Sequence, residues 1–166
     1  MNARVRSASI IAAIVVLDRV TKLYIQRHFT FFDTRPVIDG VFNIVHAENP
    51  GAAFGFLTDS HAAWRGPLLI GVSLAVMAII GAMLFRASVR KTALFELALA
   101  FVFGGAAGNL WDRAFRGTVT DFLQVFIGSY EFPSFNVADS AISVGAVLLL
   151  IDVWMNRDKP RASARG

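Results

Sequence analysis

Residues 66–85 read GPLLIGVSLAVMAIIGAMLF, a run of twenty residues without one charged side chain. A helix needs about 20 consecutive apolar residues to cross the roughly 30 Å hydrocarbon core of a bilayer. A helix on the surface of a soluble domain would instead carry charged or polar residues along one face, and this stretch has no charged face. The stretch therefore predicts a transmembrane helix.

Three further apolar stretches have a similar length, so the sequence predicts four transmembrane helices. The predicted spans are approximately 7–27, 66–85, 92–111 and 135–155. The first span contains Asp18, Arg19 and Lys22, and no small-x-small cleavage site follows it. We therefore interpret it as a retained helix rather than as a secretory signal.

The composition of the chain agrees with a membrane protein of one domain, residues 1–166. Hydrophobic residues make up 55% and charged residues 17% of the sequence, whereas soluble domains carry about a quarter charged residues. Cysteine is absent, which excludes a thiol nucleophile, a Cys-ligated metal and a disulfide. The net charge of +4 lies in short clusters beside apolar runs, so we do not expect a nucleic-acid partner.

The basic residues are unevenly distributed among the segments that connect the predicted spans. They are concentrated in the two terminal tails and between the second and third spans: Arg4, Arg6, Arg86, Arg90, Lys91, Arg157, Lys159, Arg161 and Arg165. Residues 28–65 and 112–135 contain only two basic residues each. The positive-inside rule then places both termini in the cytoplasm and the two long connections on the outer side.

Two of the outer segments alternate between apolar and polar residues. They are VFNIVH at 41–46 and TVTDFLQV at 118–125. A period of two predicts short β-strands, and strand edges cannot face lipid. We therefore expect a small outer β-sheet within 28–65 and 112–134, at or above the lipid headgroups. The predicted fold class is an all-α membrane protein with this small sheet added.

Asp121 and Asp139 are the side chains that most suggest chemistry. Asp139 lies near the outer end of the fourth span and Asp121 in the outer segment before it, so the topology places both at a similar depth. Two neighbouring carboxylates share one proton. One can then take a proton from water while its protonated partner polarises a carbonyl group. From spacing alone, a structural interpretation is equally open: Asp121 would be an exposed turn residue, and Asp139 would start a helix and pair with an Arg.

Other polar and small residues of the spans are better explained by packing. Asp18 and Lys22 are four residues apart and share a helix face, so we predict an ion pair that lowers the cost of burying both. Gly104 and Gly108 have the small-x-x-x-small spacing of closely packed helices, and Asn109 follows directly. Contact between these residues and a substrate backbone is the alternative.

The sequence offers few residues for other hydrolytic sites, such as a serine triad or a zinc site. His28, His46 and His61 all precede the second span, and none is adjacent in sequence to Asp121 or Asp139. The chain has no Gly-x-Ser-x-Gly elbow and no His-Glu-x-x-His motif. We interpret each histidine as an interfacial polar residue and expect neither a serine triad nor a zinc site.

Five short motifs occur in order between residues 18 and 140. They are DRVTK at 18–22, NPGAAFG at 49–55, GGAAGNLWDR at 104–113, VTDF at 119–122 and FNVADS at 135–140. Each motif alone is weakly specific, but all five within four predicted spans resemble the lipoprotein signal peptidase family (signal peptidase II). Arg19 and Trp111 stand where the family pattern often has Gln and Tyr, and we expect a catalytic role for neither.

The resemblance implies an aspartic endopeptidase with Asp121 and Asp139 as its catalytic pair and with no metal or cofactor. Its substrates would be prolipoproteins whose Cys carries diacylglycerol, cut on the N-terminal side of that Cys. The positions expected to support substrate binding or the geometry of the pair are Asp18, Lys22, Asn49, Gly105, Asn109, Arg113, Asn136 and Ala138.

The resemblance also implies a location and a fold. The protein would be a monomer in the bacterial inner membrane, in contact with membrane lipid and with its active site near the outer face. Its outer part would be a β-cradle and a short helix, for which residues 59–65 offer room.

Three competing interpretations remain open. A small ion-coupled transporter would also place Asp and Lys inside the membrane, although the second and third spans contain few polar residues. A non-catalytic membrane scaffold would use the glycines for helix contacts alone. A two-carboxylate metal hydrolase would lose activity in the presence of a chelator.

Overall fold

The computed structural model describes residues 2–51, 64–85 and 92–157, and this part of the chain is mostly helical. The four helices are α1 (Ala3–His28), α2 (Arg65–Phe85), α3 (Ala93–Arg116) and α4 (Val137–Asn156). Helix α3 packs against each of the other three, and α1 also packs against α4. Each predicted apolar stretch therefore coincides with a helix, and the other three helices pack around α3.

Three helices of the described residues are long and apolar enough to cross a membrane. They are formed by Gly66–Leu84, Ala93–Arg116 and Val137–Asn156. Helix α1 has sufficient length at 26 residues, but it carries Asp18, Arg19 and Lys22 within one turn and does not belong to this group. The prediction of a mostly helical fold is confirmed, and the fourth span stays a prediction.

The predicted small antiparallel sheet is confirmed, and within the described residues it has four strands rather than two. Its order is β1-β2-β3-β4, formed by Thr34–Ile38, Phe42–Asn49, Val119–Ile127 and Tyr130–Glu131. Strands β1 and β2 connect α1 to α2, while β3 and β4 connect α3 to α4. The sheet therefore lies at one end of the helices.

An irregularity in the pairing of β2 with β3 fixes which side chains share a face of the sheet. The register shifts between Ile44, which pairs with Leu123, and Ala47, which pairs with Asp121. The shift corresponds to one extra residue in β2, which is a β-bulge. Because alternate side chains point to the same face, the shift places Asn49 on the face that carries Asp121.

The glycines of α3 allow close helix packing, as their spacing predicted. A Cβ atom on Gly105 would lie 2.3 Å from the carbonyl oxygen of Ala138 in α4. A Cβ atom on Gly108 would lie 2.6 Å from Oδ2 of Asp18 in α1. Helix α3 can therefore approach both neighbours only because these positions have no side chain.

Two of the predicted boundaries need correction or fall outside the described residues. Helix α3 does not end near Trp111 but continues to Arg116 and stops at Gly117, whose φ of 78° is left-handed. The apolar sequence ends at Trp111, which predicts the end of the helix there. The helix continues through Asp112, whose charge is buried in ion pairs with Arg19 and Lys22. The short outer helix expected at 59–65 falls mainly on residues 59–63, which are not described.

Candidate active site

The carboxylates of Asp121 and Asp139 lie in one hydrogen-bonded cluster, and Asn136 joins them. The side-chain amide of Asn136 donates to Oδ1 of Asp121 at 2.7 Å. Its backbone N–H donates to Oδ2 of Asp139 at 3.2 Å. Two carboxylates separated by seventeen residues in sequence are therefore within hydrogen-bonding reach of the same residue.

The start of α4 holds Asp139 in place through a local capping box. Asn136 is the N-cap residue, and its Oδ1 accepts a hydrogen bond from the backbone N–H of Asp139 at 3.0 Å. The Asp139 side chain accepts from the Asn136 backbone in return, which is the reciprocal pattern of a capping box. The N-terminal end of a helix favours negative charge, and the carboxyl group of Asp139 lies at this end of α4.

Strand β3 holds Asp121 in a more buried position, with 3% of the residue exposed. Its Oδ2 accepts a hydrogen bond from Nδ2 of Asn49 at 3.0 Å. Oδ1 of Asn49 accepts from the backbone N–H of Gly51 at 2.8 Å, and this contact sets the direction of the amide. Burial, and then the negative charge of Asp139, raise the pKa of Asp121 to about 7.

Asn109 holds the other oxygen of Asp139. Its Nδ2 donates to Oδ1 of Asp139 at 2.7 Å, and its Oδ1 accepts from Nζ of Lys22 at 3.0 Å. An ammonium group can only donate, so the amide oxygen of Asn109 has to face Lys22. The amide nitrogen is thereby directed at Asp139.

Lys22 is part of a buried cluster of charges behind Asn109. Its Nζ lies 2.8 Å from Oδ2 of Asp18 and 2.9 Å from Oδ2 of Asp112, and all three side chains are fully buried. The predicted ion pair between Asp18 and Lys22 is confirmed. Oδ1 of Asp18 also accepts a hydrogen bond from the backbone N–H of Ala138 at 3.0 Å, which ties α1 to the first turn of α4.

Two residues of this cluster were not expected in a supporting role. Asp112 lies one helical turn after Asn109 on α3, and this spacing was the available signal for its position. Oδ1 of Asp112 accepts a hydrogen bond from the guanidinium of Arg19. The guanidinium also lies over the ring of Trp111, 5.9 Å from its centroid.

Arg113 faces the carboxylates from the last turns of α3. It interacts electrostatically with Asp139, Asp121 and Asp112. Its Nε is buried and has no hydrogen-bond partner among residues 2–51, 64–85 and 92–157. Arg113 therefore offers an N–H donor beside the two carboxylates.

Gly105 and Ala138 contact each other at the interface of α3 and α4, and Ala138 is fully buried. Each is close in sequence to a residue that bonds with Asp139: Asn109 is one turn after Gly105, and Asn136 lies two residues before Ala138. The two small residues therefore set the spacing between the helices that carry these donors.

A second polar cluster, centred on Glu48, lies on the opposite face of β2 and β3 and was not predicted. Its carboxylate accepts hydrogen bonds from Thr118 at 2.6 Å, Thr120 at 3.0 Å and Arg116 at 3.1 Å. Burial raises the pKa of Glu48, but the hydrogen bonds from Thr118 and Thr120 hold it below its usual value. Because these partners belong to α3, to β3 and to the turn between them, Glu48 fastens β2 in the register that brings Asn49 to Asp121.

His46 is buried within the protein, with 8% of it exposed, and its position at the membrane interface stays a prediction. Its Nδ1 lies 3.0 Å from the carbonyl oxygen of Phe29 and its Nε2 3.2 Å from Glu48. His28 is the last residue of α1, and its Nδ1 lies 2.8 Å from the carbonyl oxygen of Tyr24. His61 lies outside the described residues.

In the described ranges, no three His, Asp or Glu side chains are grouped so that they could hold a metal ion. No candidate metal ligands can therefore be named for this part of the chain. The arrangement that it does contain is a pair of coupled carboxylates, each held by two N–H donors.

Comparison with known proteins identifies related sequences over nearly the whole chain. Residues 10–155 match the family model described as signal peptidase (SPase) II. The lipoprotein signal peptidase of Solibacter usitatus (strain Ellin6076) is 46% identical over 150 residues, which cover 90% of this chain and 91% of that protein. The lipoprotein signal peptidase of Syntrophus aciditrophicus (strain SB) is 44% identical over 140 residues, with 84% and 86% covered.

Two solved structures share the fold, and both are described as bacterial membrane enzymes. The one determined at 2.3 Å resolution superposes with a TM-score of 0.82 and 27% identity, covering 97% of this chain and 94% of that chain. The one determined at 1.9 Å resolution gives a TM-score of 0.77 and 30% identity, with 89% and 92% covered.

Proposed function

The chain belongs to the signal peptidase II family, and from this premise we propose that it removes the signal peptide from bacterial prolipoproteins. It is an aspartic endopeptidase that cuts on the N-terminal side of a Cys bearing diacylglycerol, without a metal or cofactor. Asp121 and Asp139 are the catalytic pair. The observation that carries this proposal is that both carboxylates accept hydrogen bonds from Asn136.

The surroundings of the two carboxyl groups support different roles for them. Asp121 is buried and its pKa is raised to about 7, so a large fraction of the molecules holds a proton there at neutral pH. Asp139 lies at a helix N-terminus, where negative charge is favoured, and it accepts N–H donors on both oxygens. Asp139 is therefore the general base and Asp121 the general acid.

The reaction follows from these roles. Asp139 takes a proton from water while the water oxygen forms a bond to the scissile carbonyl carbon, and Asp121 gives its proton to the carbonyl oxygen. The geminal diol then collapses: one hydroxyl proton returns to Asp121, and Asp139 passes its proton to the leaving nitrogen. The C–N bond breaks, the signal peptide ends in a new carboxyl group, and the Cys has a free amine.

The supporting residues preorganise this pair. Asn49, Asn109 and Asn136 direct amide nitrogens at the carboxylates, so the pair needs little rearrangement when charge develops. The Arg113 side chain, which interacts electrostatically with both carboxylates, is the cation that we expect to contact the substrate backbone. Asp18 and Lys22 act behind this layer by holding α4 and Asn109.

The chain crosses the bacterial inner membrane four times, with α1 as the additional span. The charges of Asp18 and Lys22 do not oppose this assignment, because both side chains are fully buried against other helices and need not face lipid. The outward faces of α2 and α4 carry exposed apolar side chains suited to lipid, including Ile79, Leu150 and Val153.

The basic tails and the basic 86–91 segment place both termini in the cytoplasm. The sheet and the catalytic pair then lie at the outer face, where a diacylglyceryl anchor would hold the scissile bond. Because both carboxylates and their described donors come from one chain, a monomer is sufficient for activity.

The test is cleavage of a diacylglyceryl-modified prolipoprotein by purified protein in lipid, with and without a chelator. We compare the wild type with Asp121→Asn and Asp139→Asn, and Asp39→Asn in an exposed turn is the matched control. We expect both pair variants to fold and to lose cleavage, while Asp39→Asn and the chelator change nothing.

Other outcomes point to other functions. Near wild-type cleavage by either pair variant refutes the catalytic assignment. Loss of cleavage with chelator supports the two-carboxylate metal hydrolase. If the folded wild type does not cleave the substrate, the result favours the transporter or the scaffold interpretation.

A further inference from the structure

The buried charge cluster behind Asn109 contains four charged side chains from two helices. Asp18, Lys22 and Asp112 are fully buried, and Arg19 is 20% exposed at the side chain. Two carboxylates and two cations give a balanced set. Without Arg19, the three fully buried groups would carry a net charge of −1, which among the described residues only Arg113 could offset, and Arg113 also interacts with Asp121 and Asp139. A net charge is costly in a low-dielectric interior.

Lys22 is shared among three acceptors. Its Nζ lies 2.8 Å from Asp18, 2.9 Å from Asp112 and 3.0 Å from the amide oxygen of Asn109. The contact with Asn109 is a hydrogen bond, whereas those with Oδ2 of Asp18 and Oδ2 of Asp112 are ion pairs, and neither Oδ2 has a hydrogen-bond partner among the described residues. The longest and the only uncharged of the three is the one to Asn109, which has to compete with two carboxylates for the same cation.

Arg19 reduces this competition at Asp112. Its guanidinium donates to Oδ1 of Asp112, whereas Lys22 contacts Oδ2. The two cations therefore divide the carboxylate between them, and the ring of Trp111 lies under the guanidinium and restricts its position. If Arg19 is absent, the whole charge of Asp112 acts on Lys22 and draws Nζ away from Asn109.

We propose that Arg19 is a positioning residue for the catalytic pair. By neutralising Asp112, it leaves Lys22 able to hold the oxygen of Asn109, and the Asn109 nitrogen then stays directed at Asp139. Arg19 acts through Asp112, Lys22 and Asn109 rather than on the substrate. The inference rests on the proposed function, because it concerns the geometry of that same pair.

The test measures kcat and KM separately for Arg19→Gln, Arg19→Lys and Arg27→Gln, with a diacylglyceryl-modified prolipoprotein in lipid. Arg27→Gln removes the same charge from an exposed position on the same helix and is the matched control. We expect Arg19→Gln to lower kcat about tenfold with KM unchanged, since a loss confined to kcat marks an interaction that acts on the chemical step. Arg19→Lys keeps the charge and should stay within about threefold of wild type.

The double variant Arg19→Gln/Asp112→Asn, measured beside Asp112→Asn alone, separates charge balance from simple damage. It removes one cation and one anion, so the remaining Asp18 and Lys22 are balanced again. We expect its kcat to exceed that of Arg19→Gln, which is a compensation that independent defects cannot produce. Because the charges that remain in the double variant are balanced, its kcat can still be measured if Arg19→Gln alone does not fold.

Three results would overturn the inference. They are wild-type kcat in Arg19→Gln, a change in KM alone, and a double variant as impaired as the product of its single variants. Failure of the wild type to cleave refutes the proposed function instead, so the two failures are distinguishable.

Discussion

Asn136 is the residue whose replacement tests the site most directly, because it performs two separable tasks. It caps α4, and its amide donates to Asp121 at 2.7 Å. Asn136→Ser keeps an N-cap residue that accepts from the backbone, so the helix should lose only a few tenths of a kcal/mol. It removes the amide N–H that holds Asp121.

The expected effect on the rate follows from that lost hydrogen bond. A hydrogen bond to a charged or partly charged group contributes about 1.5–3 kcal/mol. Since each 1.4 kcal/mol is a factor of ten, Asn136→Ser should lower kcat by roughly 10- to 100-fold. Asn136→Ala removes the cap as well and should cost about 1 kcal/mol more in the free energy of unfolding.

The assay pairs cleavage kinetics with thermal unfolding of the same protein in lipid or detergent. Thr92→Ala is the matched control, because the Thr92 hydroxyl caps α3 by accepting from the backbone N–H of Phe95, donates to Asp152, and lies at the opposite end of that helix from Asn109. We expect Thr92→Ala to lower stability while cleavage of the folded protein is unchanged. Wild-type kcat in a folded Asn136→Ser would refute the view that Asn136 positions the pair.

Three further predictions concern stability. The pKa of Asp121 is raised to about 7. Between about pH 4 and 7 the native state therefore keeps a proton on Asp121 that the unfolded state has released. The wild type should lose stability as pH rises through this range. Asp121→Asn should flatten this slope in unfolding curves measured across that range, and an unchanged slope would contradict the assignment. For Glu48 the sign is opposite: its pKa is held below the usual value, so its stabilising contribution is present above the unfolded pKa and lost as pH falls through the folded one. In acid titrations, the free energy of unfolding of Glu48→Gln should therefore fall less below about pH 4.5 than that of the wild type. An equal fall in the two proteins would contradict the hydrogen bonds assigned to Glu48. Gly105→Ala places a methyl group 2.3 Å from a backbone oxygen of α4 and should cost about 1–3 kcal/mol in unfolding. Gly71→Ala, where a Cβ would have no neighbour within 4 Å, is its control, and equal midpoints for the two variants would contradict the packing argument.

Local patterns were enough to predict the helices and part of the sheet. A run such as 66–85 requires a helix wherever lipid surrounds it, because every backbone polar group must be satisfied within the segment. The capping of α4 by Asn136 and Asp139 is also local, since both members lie within one turn. The alternation at 41–46 and 118–125 predicted two strands, but β1 and β4 have weaker patterns and were missed.

The predicted pair of aspartates drew on motif order, whereas the contacts that organise it span long stretches of sequence. Lys22 and Asn109 are 87 residues apart, and Asn49 and Asp121 are 72 apart. The second contact depends on a one-residue bulge in β2 that no local pattern announced. Asp112 and Glu48 were likewise missed, because their partners come from other elements.

The sequence by itself determined that this chain has long apolar helices and short strands in its two long connections, because these features depend on neighbours within a few residues. Only the tertiary structure decided that Asn136 reaches both carboxylates, that Lys22 is shared by three acceptors and that Arg19 balances Asp112. The physical reason is that a buried charge or amide is placed by whichever partner satisfies it. That partner is known only once the helices and the sheet have packed together.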